Sequence, residues 1–394
     1  MIVERDTLDV LPVSDRLLSF IAGEIVTEYS RGSFAWCNEL VLHVIEIKTD
    51  GPATDLSGLG PEFRQEITEV NDKLAQVNAR LMPSAMHPWM DPFTEMKLWP
   101  HEYNPIYDTY NRIFDCRGHG WANLQSTHLN LPFNGDAEFG KLYAALRIIT
   151  PLLPALSASS PVADMDKKPF LDYRMEVYRT NSSRIPSISG LIIPEAVYTK
   201  ADYYSRIFNP MYRDISSLDP EGILQHEWLN SRGVMARFDR GAIEIRVMDV
   251  QECPQADIAI LQLFVAVTKL LADEHWSSLA EQMKWHEKDL YEVLMSVVKD
   301  GERARITNQE YLRLFGITQT ELQAGDLWQH LFDTASVSGL IDHESGEVLQ
   351  IIFSHGTLAR RILQALPEVF TRIDLKRVYG SLCDCLQEGR MYLP

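Results

Sequence analysis

The sequence lacks the motifs that would place it at once in a well-known class of enzyme. It has no GxxxxGK[ST] loop, no GxGxxG after a strand, and neither an HExxH nor a GxSxG motif. Its longest apolar run, residues 258–272, is shorter than a bilayer requires and contains Lys269. We therefore expect no phosphate-binding glycine loop, no zincin or nucleophile-elbow chemistry, and no membrane association.

Cysteine is scarce, and nothing in the sequence suggests an oxidising compartment. There are five cysteines, an odd number, and Cys383 and Cys385 have no second pair at zinc-finger spacing. The first twenty residues carry four acidic side chains and no long apolar core, which is unlike a secretory leader. These features predict reduced thiols in a cytoplasmic protein.

Basic residues are also few relative to acidic ones. The 394 residues include 37 Lys and Arg against 55 Asp and Glu, a formal net charge of −18, which argues against nucleic acid or an anionic membrane as a partner. An anionic small molecule would then need a local group of arginines or a metal ion held by carboxylates. With 45% hydrophobic and 23% charged residues, the chain has the composition of one large globular domain or two average ones.

The patterns along the chain favour an α+β architecture with an antiparallel sheet. Strands are predicted mainly in the first two-thirds, and residues 255–387 are almost wholly helical. The earlier predicted elements are helices at 14–28, 61–81, 104–114 and 136–156, strands at 38–49 and 120–133, and a hairpin at 234–250.

Two predicted strands carry polar side chains at unusual positions. In strand 38–49, Glu46 shares a face with three apolar neighbours, where a carboxylate is costly unless it meets a cation. In strand 120–133, Ser126, His128 and Asn130 share one face, which suits metal ligation or phosphate binding. The alternative for each is a solvated sheet face, with Glu46 near the strand end.

The predicted hairpin alternates acidic and basic residues in an apolar strand. With Arg240-Gly241 as a two-residue turn, Arg237 lies opposite Glu244, and Glu244 shares a face with Arg246. This arrangement suits a site in which Glu244 binds a divalent cation and arginine binds phosphate. The alternative is a cross-strand salt bridge on a solvated face, which contributes well under about 1 kcal/mol.

Seven short segments occur in an order that is typical of one family. They are HVIEIKT around Glu46, His87-Pro88, STHLNLPF (126–133), ALSASSP (155–161), Asp172-Tyr173-Arg174, RIPSISG (184–190) and AIEIRVMD (242–249). Together, over about residues 38–275, they resemble the glutamate–cysteine ligase family of the second type, which contains carboxylate–amine ligases. Each segment alone is weak evidence for the family, but the occurrence of all seven in the same order is specific.

The resemblance implies a glutamine-synthetase-like fold, in which a curved antiparallel sheet holds ATP and Mg²⁺ on its concave face and carries helices on its outer face. It also implies that ATP phosphorylates the γ-carboxylate of glutamate and that an amine such as cysteine attacks the acyl phosphate. On this basis the metal ligands are Glu46, Glu244 and His128; the catalytic arginines are Arg174, Arg237 and Arg246; and the substrate or nucleotide site includes Asn130, Ser126 and Arg184.

One departure from the family pattern leaves alternatives open. Members usually begin with a strand carrying G-x-E-x-E, whose glutamates bind metal, whereas this chain begins at Met1-Ile2-Val3-Glu4, which resembles the residues after that motif. Either the start lies upstream or part of the metal site is lost. A member that binds nucleotide or amino acid and acts through a partner is therefore the alternative to a ligase, and a phosphotransferase is a third option.

The domain prediction follows from the same resemblance. Residues 1–275 are expected to form the glutamine-synthetase-like catalytic region, and residues 276–394 a helical region packed on it within one domain. The leucine and isoleucine stripes of the last third are assigned mainly to the core, with a homo-oligomer interface as the alternative.

Overall fold

The structure, a computed structural model, describes residues 1–394 and combines α-helices with short antiparallel strands. The strands are β1 Ile2–Glu4, β2 Glu28–Ser30, β3 Phe34–Asn38, β4 Ile45–Thr49, β5 Ala79–Leu81, β6 Leu129–Pro132, β7 Val162–Ala163, β8 Asp166–Lys167, β9 Val234–Arg237, β10 Ala242–Ile245, β11 Arg305–Ile306 and β12 Leu322–Gln323. The helices of the first two-thirds are α1 Ser14–Ala22, α2 Leu59–Leu74, α3 Pro92–Glu95, α4 Asn104–Phe114, α5 His119–Ala122, α6 Gly135–Ile149, α7 Pro154–Ser157, α8 Tyr173–Tyr178, α9 Lys200–Tyr203 and α10 Asn209–Ile215. The later helices are α11 Pro254–Ala272, α12 Leu279–Met283, α13 Glu287–Asp300, α14 Gln309–Arg313, α15 Ala324–Val337, α16 His343–His355, α17 Leu358–Ala365 and α18 Arg372–Glu388.

Several predicted elements are shorter than the sequence suggested. Helix α1 ends at Ala22 because Gly23 adopts a left-handed conformation at φ 83°, and Glu28, the predicted last residue of the helix, begins strand β2 instead. Helix α2 ends at Leu74, and after a short 3₁₀ turn Asn78, at φ 53°, redirects the chain into β5. The predicted strand 120–133 was largely wrong, since it begins as helix α5 and becomes a strand only at Leu129.

All strand pairs are antiparallel. The predicted α+β class with antiparallel strand pairing is therefore confirmed. The hydrogen bonds divide the strands into two three-stranded sheets, β2-β3-β4 and β6-β10-β9, and three two-stranded ones. We call β2-β3-β4 sheet A and β6-β10-β9 sheet B. The predicted strand 38–49 is in fact two regions, because residues 39–44 form a connection before β4.

Apolar side chains on one face of sheet A and of sheet B pack against helices. Trp36, Ile45 and Ile47 of sheet A lie in a cluster with apolar residues of α1 and α2. Ile243 and Ile245 of sheet B belong to a cluster of 64 buried residues that also includes residues of α6, α11 and α13 to α16. This large cluster therefore contains side chains from both sides of residue 275.

Helix α11 is the most apolar helix of the protein. By length and composition alone it could cross a membrane, but 72% of its most apolar 18-residue window is buried inside the protein. It packs against α2, α6, α15 and α16, and Lys269 is one of its few exposed side chains. These contacts are those of a central core helix.

Candidate active site

The face of sheet A opposite the core carries ionisable side chains. Glu28, Cys37 and Glu46 lie directly across from one another on successive strands, so all three point to this face. Lys48 donates a hydrogen bond of 2.8 Å to Glu28 at the same surface. The alternation that buries Trp36 and Ile47 against α2 thus presents Glu46 on the opposite side.

Sheet B contributes a second set of polar side chains, with a different register from the predicted one. Glu244 lies opposite Met235 and Asn130, and Arg237 lies opposite Ala242. The predicted pairing of Arg237 with Glu244 was wrong by two residues because the turn is a four-residue connection, 238–241, in which Gly241 has φ 63°. A shift of two keeps both side chains on one face, so Arg237 Nη1 still reaches Glu244 Oε2 at 3.2 Å.

Glu244 is the centre of an ion-pair cluster. Its Oε1 accepts a hydrogen bond of 2.5 Å from Arg246 Nε and lies 3.7 Å from Nδ1 of His128, while Oε2 pairs with Arg237. Burial opposes ionisation of Glu244, but Arg246 and His128 outweigh it and lower its pKa to about 2. Glu244 is therefore a carboxylate at neutral pH, with both oxygens already engaged by arginine.

His128 and its neighbours present neutral polar groups beside this cluster. Desolvation and the positive charge of Arg246 lower the pKa of His128 to about 4, so the imidazole is neutral at neutral pH. Its Nε2 lies 2.7 Å from Ser126 Oγ, and its side chain is 36% exposed. Asn130 is exposed, and its side chain makes no hydrogen bond within the chain although its backbone pairs in sheet B. The structure thus brings Ser126, His128 and Asn130 to the same surface as Glu244.

Two further carboxylates, Glu39 and Glu46, approach Glu244 from sheet A. Desolvation and the charge of Glu46 raise the pKa of Glu39 to about 7. Desolvation and the charge of Glu244 raise the pKa of Glu46. Neither carboxylate forms a salt bridge. Sequence reasoning missed Glu39, although it follows the buried strand β3 two residues after Cys37, which already lies on this face.

The predicted arginines occupy different situations. Arg246 donates through Nε to Glu244, its guanidinium also lies beside the Tyr178 hydroxyl, and its side chain is 21% exposed, so its terminal amino groups are the ones that could reach a ligand. Arg237 uses all three nitrogens, on Glu244 and Asp239, and is 6% exposed. Arg174 is buried behind the sheet and pairs with Asp249. Arg184 is exposed and donates to the carbonyl of Ile113, with no bond to the cluster.

Glu39 and Glu46 suit a magnesium ion better than Glu244 does. Glu39 and Glu46 are half-buried, form no salt bridge and repel each other; Lys48 and Arg246 offset part of this repulsion, and a divalent cation would remove the rest. No group of three or more His, Cys, Asp or Glu side chains is arranged to hold a metal ion. This is compatible with Mg²⁺, which commonly keeps several waters and binds through one or two carboxylates together with substrate phosphates.

The site as a whole combines a hydrogen-bonding arginine with carboxylates on a partly exposed surface. We call Glu39, Glu46, His128, Glu244 and Arg246 the polar cluster. Such a surface can bind an anion through Arg246 and a cation through the two carboxylates of sheet A at the same time. A nucleotide with its metal ion has both kinds of charge.

Comparison with known proteins agrees with this chemistry. The model of the glutamate–cysteine ligase family 2 matches residues 5–371. An uncharacterized protein of Archaeoglobus fulgidus is 30% identical over 393 residues, which cover 99% of this chain and 98% of the relative.

A solved structure shares the fold. The crystal structure of the glutamate–cysteine ligase of Francisella tularensis in complex with AMP superposes with a TM-score of 0.60, covering 100% of this chain and 87% of that one. At 14% identity this similarity concerns the fold alone. The match of the family model over nearly the whole length, together with the archaeal relative, decides the classification: the chain belongs to the glutamate–cysteine ligase family 2.

Proposed function

We propose that this protein is an ATP- and Mg²⁺-dependent carboxylate–amine ligase. In the proposed reaction, ATP phosphorylates the γ-carboxylate of glutamate, and an amine such as cysteine displaces phosphate from the acyl phosphate to form an amide. The observation that carries the proposal is the polar cluster, in which the terminal amino groups of Arg246 lie beside two carboxylates, Glu39 and Glu46, that form no salt bridge. Membership of the ligase family and the AMP complex of a protein with the same fold support it.

In the proposed site, Arg246 would hold a phosphoryl oxygen. Because Glu244 holds Nε, the terminal amino groups would donate to the ligand from a guanidinium that is already fixed in place. Arg237 neutralises the other oxygen of Glu244 and fixes that carboxylate in place. The neutral imidazole of His128 adds a hydrogen-bonding group without adding charge.

Glu39 and Glu46 would hold the magnesium ion. When bound, Mg²⁺ would neutralise phosphate charge and so allow two anionic substrates to approach each other. The two carboxylates would hold the ion near Arg246, whose charge already offsets part of the desolvation that raises the pKa of Glu39. No nucleophilic side chain is needed, because the attacking groups belong to the substrates.

The first test is ADP release by the purified chain with ATP and Mg²⁺. We expect ADP only when glutamate and an amine are both present, with the amine identified from a panel of amino acids that includes cysteine. Glu39→Gln and Glu46→Gln should each lower turnover at least about 100-fold, since each removes a charge that holds the ion. The control is Glu62→Gln, which makes the same change on an exposed position of α2.

Each other outcome points to a different function. Full turnover in both Glu39→Gln and Glu46→Gln would contradict the magnesium assignment. ADP release with one acceptor and no amide would indicate a phosphotransferase. Binding of ATP without turnover under any of these conditions would contradict the ligase and favour a nucleotide-binding member that acts through a partner.

A further inference from the structure

Arg174 is one of the most enclosed charged side chains in the protein, and all its nitrogens are used internally. It is 1% exposed; Nε pairs with Asp249, Nη1 donates to the carbonyl of Arg246 at 3.3 Å, and Nη2 donates to the carbonyl of Val247 at 2.5 Å. A guanidinium committed in this way has little left for a phosphate or a substrate carboxylate. Its contacts instead concern the backbone that carries Arg246.

That backbone contains an irregularity in the strand pairing. Leu129 lies opposite Ile245, whereas Ser126 lies opposite Asp249, so three steps along one chain correspond to four along the other. One extra residue is therefore accommodated between Ile245 and Asp249, as in a β-bulge. Bulges interrupt the ladder of backbone hydrogen bonds and redirect side chains, and they are frequent beside active sites.

The guanidinium of Arg174 satisfies the carbonyls at this irregularity. The carbonyls of Arg246 and Val247 both accept from Arg174, while the amide of Arg246 donates to Gly233 at 2.9 Å. Buried carbonyls without a partner are costly, so the bulge needs a donor at this place. The planar fork of arginine supplies two donors in a fixed geometry, which lysine does not.

Arg174 is in turn held by two other segments that the sequence singled out. Asp249 accepts from the Ser159 amide at 2.8 Å and from Ser160 Oγ at 2.9 Å, and Ser160 Oγ accepts from the amide of Arg174 at 3.0 Å. Asp172 caps helix α8 by accepting from the amide of Met175 at 2.9 Å. The segments ALSASSP, Asp172-Tyr173-Arg174 and AIEIRVMD thus meet at one buried point behind the polar cluster.

We propose that Arg174 is a positioning residue that sets the direction of the Arg246 side chain by holding the bulged backbone at Arg246 and Val247. The inference rests on the proposed function, in which Arg246 binds a phosphoryl oxygen, and it assigns Arg174 a role without ligand contact. Loss of Arg174 should act only through Arg246. That dependence separates positioning from a general loss of stability.

The test is a double-mutant cycle on Arg174→Lys and Arg246→Lys. Arg174→Lys keeps the charge but loses the fork, and we expect it to lower kcat about 10- to 100-fold, the effect of a misplacement of about 1 Å. In the Arg246→Lys background the same change should cost less than about 2-fold, because the misplaced group is already gone. The fall in melting temperature should be the same in both backgrounds.

The matched control is Arg147→Lys. Arg147 is also fully buried and donates to the carbonyls of Pro194 and Trp285 and to the hydroxyl of Tyr198, none of which belongs to the polar cluster. Any kinetic effect of this change should be equal with and without Arg246→Lys. If Arg174→Lys does not fold, Ser160→Ala replaces it, since it removes one hydrogen bond to Asp249 and one to Arg174.

The dissociation constant of Mg²⁺–ATP, measured calorimetrically on the same variants, keeps the two proposals distinguishable. If the chain binds Mg²⁺–ATP without turnover, the ligase proposal is contradicted. The positioning role is still supported if the changes in binding free energy of Arg174→Lys and Arg246→Lys are non-additive in the double variant. If the fold-changes of Arg174→Lys and Arg246→Lys simply multiply in the double variant, the positioning role is overturned even in an active ligase. A wild-type chain that neither binds nor hydrolyses ATP would remove both proposals.

Discussion

The buried histidine His87 gives a prediction for acid stability that can be worked out from its contacts. His87 is fully buried; Nε2 lies 2.8 Å from the carbonyl of Leu8, and Nδ1 accepts from the amides of Trp89 at 3.2 Å and Met90 at 3.0 Å. These partners require a neutral ring with its proton on Nε2, because two amides cannot donate to a protonated Nδ1. Protonation must therefore break bonds that hold the turn at His87-Pro88.

The magnitude follows from the pKa. Burial lowers the pKa of His87 to about 3, below the value of about 6.5 expected in the unfolded chain. The unfolded state then binds the proton first, so stability is complete above about pH 6.5 and falls as the pH drops toward about 3. Between about pH 8 and pH 5 the loss from this group amounts to about 2 kcal/mol.

Urea denaturation at a series of pH values between about 8 and 5 measures this loss. We expect His87→Asn to be less stable than wild type at about pH 8, because the carbonyl of Leu8 loses its donor, but to lose about 2 kcal/mol less on acidification. His343→Asn, at a position 89% exposed, is the control and should leave the pH dependence unchanged. An acid slope in His87→Asn equal to that of wild type would refute the assignment of a neutral, buried His87.

Two other sites lead to further predictions. Burial raises the pKa of Asp257 to about 7, so its contribution to stability is complete below the unfolded value and is lost as the pH rises through about 7; Asp257→Asn should therefore raise the melting temperature relative to wild type more at about pH 8 than at about pH 5. Arg361 and Glu252 form an ion pair that is 0% exposed on both sides. Arg361→Met should lower the free energy of unfolding by about 3–5 kcal/mol, and the double variant with Glu252→Leu should recover part of the loss, as measured by urea denaturation. No recovery would contradict the view that the unpaired carboxylate causes the loss.

The sequence was informative where strand periodicity decides which side chains meet. Glu46, His128, Glu244 and Arg246 were predicted from alternation and family resemblance to share a ligand-facing surface, and the structure brings them together. Glu39 was not found, because the predicted strand 38–49 puts Glu39 and Glu46 on opposite faces, whereas the connection at residues 39–44 breaks that alternation. A short strand end is fixed by tertiary contacts rather than by a periodic pattern.

The different situations of the three arginines could not have been predicted from the sequence. Arg174, Arg237 and Arg246 all occur in family segments, and nothing in those segments shows which guanidinium is already used by a neighbour. The distinction depends on long-range contacts, such as the pairing of Arg174 with Asp249 across 75 positions of the chain. In the folded chain, neighbours use all the nitrogens of Arg174 and Arg237, whereas Arg246 keeps donors for a ligand.

The charge balance of the site explains how an acidic chain of this family could bind a nucleotide. Around Glu244, the carboxylates of Glu39 and Glu46 exceed what Arg237 and Arg246 can neutralise, so with all three acids ionised the surface keeps a small negative excess. A free nucleotide would be repelled by that excess and by the net charge of −18. A divalent cation on the two unpaired carboxylates reverses the sign locally, and Arg246 then meets the phosphate without competition from Glu39 or Glu46. Under the proposed function, the acidic residues are thus needed to recruit the cation, and the single available arginine is sufficient because the cation has already cancelled most of the repulsion.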